Sequence, residues 1–281
     1  MPSVIFKKED RIARIILNRP NKMNAINDSM PKEIENAIQL ADSDPDIHVI
    51  ILSGAGKAFC AGYDLEHYST ESKTNNFIQG VPWDPMKDYQ FMWKNTQHFM
   101  SLWRAMKPVI CKIHGYAVAG GSDIALCSDM TVMADDAEIG YMPARVWGTP
   151  TTAMWVQRLG PERAKRMLFT GDRIKGKEAA EIGLVLKSVP LKKLDEYVEN
   201  LATRMASVPV NQLAMQKMII NQSMESSGLM EMQRMSTLFD GISRHSPEGL
   251  EFKRRVDEVG WKKAVDERDE GTYDWTRKKK I

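Results

Sequence analysis

The chain has 281 residues, 43% of them hydrophobic, enough for one large domain or a domain with an appended helical region. Its 39 basic and 37 acidic residues leave a net charge of +2, so no long-range field favours nucleic acid or an anionic membrane as partner. The N-terminus has no signal-peptide core and no window reaches the ~18 uninterrupted apolar residues of a membrane span, so a soluble, cytoplasmic protein is expected.

Residues 4–6 and 12–17 are short β-rich runs separated by charged turn residues and read as a hairpin. After a loop through Asn18-Arg19-Pro20 and Asn24, the stretch 29–41 carries Met30, Ile34, Ala37, Ile38 and Ala41 at helical spacing and stops at Ser43-Asp44-Pro45. The order strand, strand, helix then recurs. Residues 48–52 form an apolar strand, 89–106 read as a helix, 108–114 as a strand, and a helix from Gly120-Gly121 leads into a strand over 130–134. The polar segment 69–88, with Gly80-Val81-Pro82-Trp83-Asp84-Pro85, interrupts the pattern as a long loop of the kind that forms lids. Beyond Pro190 the pattern turns helical and amphipathic through 194–205, 211–224, 229–239 and 247–256. This divides the chain into a core over 1–195 and a helical region over 196–281, with the basic run Arg277 to Lys280 as a solvated tail.

Two turns rich in small residues carry the chemistry: Ala58-Phe59-Cys60-Ala61-Gly62-Tyr63-Asp64-Leu65 and Gly115-Tyr116-Ala117-Val118-Ala119-Gly120-Gly121-Ser122-Asp123. Each follows a strand-like run and can aim a backbone N–H into a shared pocket. A helix starting at Gly120 leaves its first amides unpaired, with the positive end of its dipole beside them. Two such donors make an oxyanion hole, each contributing ~2.7–4 kcal/mol to lowering the barrier of a reaction that builds charge on a carbonyl oxygen.

These turns, with Asn18-Arg19-Pro20 and Asn24-Ala25 before them and Leu168-Phe169-Thr170-Gly171-Asp172, Ala179-Ala180 and Gly183-Leu184-Val185 after them, resemble the enoyl-CoA hydratase/isomerase family, or crotonase superfamily. The resemblance implies an α/β fold, a spiral of repeated ββα units with a C-terminal helical trimerisation region, assembled as a homotrimer or a hexamer. It implies an acyl-coenzyme A thioester as substrate, so coenzyme A arrives with the substrate and no separate cofactor is expected. By position, the oxyanion donors fall on the amides of Tyr63 and Gly120. Coenzyme A recognition falls on Lys22, Met23, Ala25, Ala61, Asp64 and Leu65, with one cation from the C-terminal helices, Lys253 or Lys262 of a neighbouring subunit, near the nucleotide. Tyr116, Pro143, Ala144, Trp147 and Gly148 would line the acyl site.

The family's hydratases grip one water with two glutamates. The first position falls on Asp123, whose alternative role is helix capping. The second falls on Ala144, and no carboxylate occurs between Glu138 and Glu162. Water addition through Asp123 is the leading reading. Other enolate chemistry (C–C hydrolysis, isomerisation or decarboxylation of a bulky or cyclic acyl group) and a non-catalytic acyl-CoA binder are the alternatives. Arg145, Tyr141, Glu66 and His67 are candidates to supply what Ala144 lacks, and Trp83, Tyr89, Phe91 and Trp93 to close the pocket.

Rival constellations are missing. There is no G-x-S-x-G elbow, Walker A loop or GxGxxG. The five histidines are isolated, and Cys60, Cys111 and Cys127 fit neither a disulfide framework nor a metal site. Residues 27–42 hold Lys32 as their one basic residue, against RNA binding along that helix.

Overall fold

The computed structural model describes residues 2–68 and 82–276. Most of the expected long loop and the basic tail lie outside them. The chain opens with Val4–Glu9 (β1) and Ile12–Leu17 (β2), paired antiparallel with Val4 opposite Leu17. Alternation buries Ala13, Ile15 and Leu17 on one face of β2. Met30–Ser43 (α1) packs against this hairpin through the apolar stripe read from the sequence.

Val49–Gly54 (β3) runs parallel to β2 and is buried on both faces, as a strand covered by helices on each side must be. The one-turn helix Leu65–Tyr68 (α2) follows the first glycine turn. Pro85–Phe99 (α3) begins ahead of the expected position. Asp84 caps it by accepting hydrogen bonds from the amides of Met86 (3.0 Å) and Lys87 (3.2 Å), and Pro85 needs no amide partner at the first helical position. The helical run breaks at Met100, and Ser101–Arg104 (α4) is a separate turn.

Then come Val109–Ile113 (β4), Tyr116–Val118 (β5), Gly120–Leu126 (α5), Met130–Ala134 (β6), Glu138–Gly140 (β7) and Met154–Thr170 (α6). Arg173–Lys175 (β8), Gly176–Glu181 (α7) and Lys187–Val189 (β9) complete the sheets. One sheet has the order β1-β2-β3-β4-β6-β9 and a second β5-β7-β8. The units β4-β5-α5 and β6-β7-α6 each send their first strand to the large sheet and their second to the small one, then close with a helix, whereas β1 and β2 both lie in the large sheet. This is the expected ββα spiral.

Five helices follow: Leu191–Ala206 (α8), Val210–Glu225 (α9), Leu229–His245 (α10), Pro247–Val259 (α11) and Trp261–Glu270 (α12). The division placed at residue 195 falls inside α8. That helix packs across β2, β3, β4, β6 and β9 through Leu194, Val198 and Ala202, so it covers the large sheet as part of the core. Further on, α10 crosses α3, and α11 packs on α12. Among the described residues, no helix is long and apolar enough to cross a membrane.

Candidate active site

The two glycine turns meet as a short piece of parallel sheet. The Phe59 amide donates to the His114 carbonyl (2.9 Å), Cys60 to Tyr116 (2.8 Å), and Val118 back to Cys60 (3.1 Å). The approach is close enough that a Cβ on Gly121 would collide with the Cys60 carbonyl. Gly62 has φ +89°, and a Cβ there would lie 2.9 Å from that of Ala119 and 3.4 Å from the Gly120 nitrogen. Only glycine combines that conformation with that proximity.

On the first turn, the Ile26 amide donates to the Gly62 carbonyl (2.8 Å) and the Asp64 amide to the Ile26 carbonyl (3.0 Å). Alternation along this extended segment turns the intervening Tyr63 N–H the other way, toward the second turn. There Gly120 opens α5, while Ser122 (2.9 Å) and Asp123 (3.4 Å) direct their amides back to the Ala119 carbonyl. Ala119 itself holds φ 50° and ψ −128°, a strained backbone for a residue with a Cβ, at the point where the donor is aimed.

Both turns open onto a cavity of about 660 Å³. Tyr63, Gly120 and Asp123 line it together. Lys22, Met23, Ala25, Ala61, Asp64 and Leu65 form one wall toward the mouth, and Tyr116, Pro143 and Trp147 also face it. Two assignments are corrected. Ala144 and Gly148 line a separate cavity with Pro150, Trp155 and Phe239. The 3-10 turn Met142–Ala144 explains this, since it presents Met142 and Pro143 to the first cavity and rotates Ala144 onto the core.

Other expected partners are also placed elsewhere. Arg145 runs between Gly171 and Gly271, away from the cavity. Trp83 stacks on His245 and Tyr89 on Trp93, and Met92 is what α3 contributes to the wall. Arg19 is engaged by Asp64 (2.8 Å), and Lys22 by Glu66 at the rim. His67 bonds Asp28 (3.2 Å) outside the cavity. Lys262 does line the cavity, but from α12 of this same chain rather than from a neighbour, and Arg268 of that helix accompanies it. Lys253 does not line it.

The inner end of the cavity carries polar side chains, Asp123, Tyr141 and Asp240. Asp123 is 3% exposed, and its Oδ1 accepts a hydrogen bond from the Thr152 hydroxyl (2.7 Å), so its partner lies across the chain and not in the first turn of its own helix. Burial pushes its carboxyl up to about 8, with the nearby Asp240 adding to the shift and Thr152 opposing it. The shift favours the protonated form, which is the form that can donate. Tyr141 also reaches this end, its hydroxyl donating to the Thr149 carbonyl (2.7 Å).

One inner-wall residue escaped the sequence reading. Asp240, on α10, lines the same cavity and is likewise 3% exposed. Its Oδ1 accepts from the Thr149 amide (3.0 Å) and its Oδ2 from Arg244, which also reaches Asp88 of α3. In sequence, Asp240 and Arg244 are an i, i+4 pair that reads as a solvated helix face. The one local signal is Gly241, costly inside a helix, where a Cβ would come within 3.0 Å of the Asp88 carboxylate.

The enoyl-CoA hydratase/isomerase family model matches residues 7–255. Crotonyl-CoA hydratase of Syntrophomonas wolfei subsp. wolfei is 31% identical over 228 residues, covering 80% of this chain and 83% of that protein. Short-chain-enoyl-CoA hydratase of Clostridium acetobutylicum is 31% identical over 227 residues, 79% of this chain and 82% of that one. The crystal structure of an enoyl-CoA hydratase from Mycobacterium smegmatis matches with a TM-score of 0.90 at 47% identity, covering 96% of this chain and 94% of that chain. With a match across most of its length, and with paired backbone turns around one cavity, this chain belongs to the enoyl-CoA hydratase/isomerase family.

Proposed function

We propose that the chain binds the coenzyme A thioester of a 2,3-unsaturated acid and catalyses reversible addition of water across the double bond. The observation that carries this reading is the convergence of the Tyr63 and Gly120 turns and the buried Asp123 on one cavity. Attack of water at C3 moves the π electrons toward the thioester oxygen, the two amides stabilise the resulting enolate, and Asp123 delivers a proton to C2. Met92, Met142 and Trp147 supply the apolar walls for an acyl chain. No resident cofactor enters the proposal, because coenzyme A is part of the substrate.

The test is incubation with a panel of 2-enoyl-, 3-enoyl- and cyclic β-oxoacyl-CoA thioesters in heavy-oxygen water, followed by mass spectrometry. Label at C3 is the expected result. Label in a new carboxylate would mean C–C hydrolysis, double-bond migration without label would mean isomerisation, and binding without product would mean a non-catalytic binder.

The nucleotide is proposed to lie between the first-turn wall and α12, with Lys262 meeting a phosphate. One charge-assisted hydrogen bond contributes about 1.5 kcal/mol, so Lys262→Ala is expected to raise KM for the acyl-CoA about tenfold with kcat unchanged. The truncated thioester of N-acetylcysteamine, which has no phosphate, should show no change. An equal loss on both substrates would remove the phosphate role.

Assembly into a homotrimer or a hexamer in the cytoplasm belongs to the same proposal, with no role for nucleic acid or membrane. Its support is the apolar surface of the single chain, where Phe169 is 80% and Ile219 68% exposed. Light scattering coupled to size-exclusion chromatography reads the assembly directly.

A further inference from the structure

We infer that Asp240, carried on α10, is the second carboxylate of the reaction centre and accepts the proton of the water that adds at C3. This rests on the hydratase reading above. The position that the family resemblance assigns to a second glutamate holds Ala144, and that residue faces a different cavity. A carboxylate nonetheless lines the reaction cavity together with Asp123, and it enters from another element.

One strap holds both acids. The segment 149–152 gives its Thr149 amide to Asp240 (3.0 Å) and its Thr152 hydroxyl to Asp123 (2.7 Å). It is itself tied to α10, since the Thr149 hydroxyl donates to the Ser236 carbonyl (2.8 Å) and the Gln233 amide to the Thr152 carbonyl (3.0 Å). The two carboxyls are thus fixed relative to each other through a few residues of backbone, which suits a pair that must share one water.

Their surroundings differ in the way an acid and a base require. Asp123 has a hydroxyl donor and no bonded cation. Asp240 is bonded to Arg244, whose other arm holds Asp88, and Asp88 also receives the Trp83 indole N–H (3.1 Å) and lies 3.7 Å from His245. Burial leaves the Asp240 carboxyl raised overall, with Asp88 on α3 adding to the rise, while Arg244 and the Thr149 amide pull it back. The other titratable groups at this end, Asp123 on α5, Tyr63 and Tyr141, are protonated at neutral pH because burial raises each. An arginine-paired carboxylate beside a proton-holding carboxyl is the arrangement by which environment divides two acids into base and acid.

The step balances. The water oxygen bonds C3 as one O–H bond breaks, and that proton goes to the Asp240 carboxylate. The C2–C3 π electrons pass into the enolate held by the Tyr63 and Gly120 amides. The enolate then takes the Asp123 proton at C2, giving the 3-hydroxyacyl thioester, and transfer of one proton from Asp240 to Asp123 restores the starting state.

The decisive comparison is Asp240→Asn, assayed for hydration and for exchange of the C2 hydrogen of a saturated acyl-CoA with heavy water, a step that needs Asp123 and the two amides but no attacking water. Hydration is expected to fall about 100-fold or more, exchange to stay within about threefold of the parent, and the acid limb of the kcat/KM pH profile to disappear. Hydration within threefold of the parent, or hydration and exchange falling together, would overturn the assignment, because a merely structural anchor would disturb both. If that variant does not fold, Asp240→Glu serves: a displaced acid limb with exchange retained supports the role, and an unmoved limb overturns it. A parent protein that hydrates no thioester of the panel removes the hydratase reading itself, whereas an active parent with an unaffected Asp240→Asn removes this inference alone.

Discussion

Asp123→Asn is expected to lose about 100- to 10,000-fold in hydration rate while becoming more stable than the parent at neutral and alkaline pH. The two effects have one cause. Burial moves the Asp123 carboxyl from an unfolded value near 3.8 up to about 8 in the folded protein. Below pH 4 both states hold the proton, and the contribution of the group to stability is complete. Between pH 4 and 8 the unfolded chain releases its proton while the folded one keeps it, so stability is lost as pH rises toward the folded value. Each pH unit of that window costs about 1.36 kcal/mol, which amounts to several kcal/mol by pH 8. Asparagine accepts the Thr152 hydrogen bond and carries no such penalty. Urea melts of both proteins at pH 5, 7 and 9 should show a gap that widens with pH and then levels off. A gap independent of pH would mean that Asp123 is not buried as a neutral acid. The parent's activity should fall as pH rises through about 8, since the acid that protonates C2 is then spent.

Gly120→Pro is expected to cost about 100- to 1,000-fold in kcat with little change in thioester binding. Proline is suited to the first position of a helix, where its fixed φ agrees with the helix and its missing amide breaks no helical hydrogen bond. Gly120 occupies that position in α5, and its φ is not in the left-handed region. A Cβ at this position would lie 2.9 Å from the end of the Ile26 side chain and 3.0 Å from the edge of the Tyr63 ring, contacts that flexible side chains can relieve. What the substitution removes is the N–H aimed at the thioester oxygen. Single-turnover kinetics separate this from a binding defect, because the donor matters most when charge builds on the oxygen. A folded Gly120→Pro protein with parental kcat would show that the oxygen is held elsewhere.

Much of this site was legible along the chain because its parts are local. A strand, a glycine turn and a helix start within ten residues can aim an amide by backbone geometry alone, and both turns stand out this way, while the assignment of Asp123 comes from the family resemblance. The same holds for β1, β2, α1 and β6, whose periodicities are strong. Other features depend on tertiary placement. Ala144 is placed by aligning Pro143 and Gly148 on the family, and the 3-10 turn Met142–Ala144 turns it out of the cavity, to where Gly148 also lies. Asp240 sits far downstream on a helix where a charged residue ordinarily faces water, and only the crossing of α10 over α3 buries it. The short strands Tyr116–Val118, Glu138–Gly140 and Arg173–Lys175 have too few residues for a period to emerge, and α12 is too highly charged to show an apolar stripe.

The short parallel pairing of Cys60 with Ala117 has a consequence for how such a catalyst can be altered. The groups proposed to cradle the enolate belong to the main chain and lie beside the pairing that brings the two turns together. Exchanges away from Gly62 and Gly121 do not touch these main-chain groups directly, whereas a Cβ at either glycine would push the two turns apart. The acid and the base, by contrast, are side chains mounted on α5 and α10, outside that seam. Repositioning or replacing a carboxylate there would redirect the enolate to a different fate while the cradle stays intact, so the scaffold divides into a fixed half that makes the intermediate and an exchangeable half that decides its product.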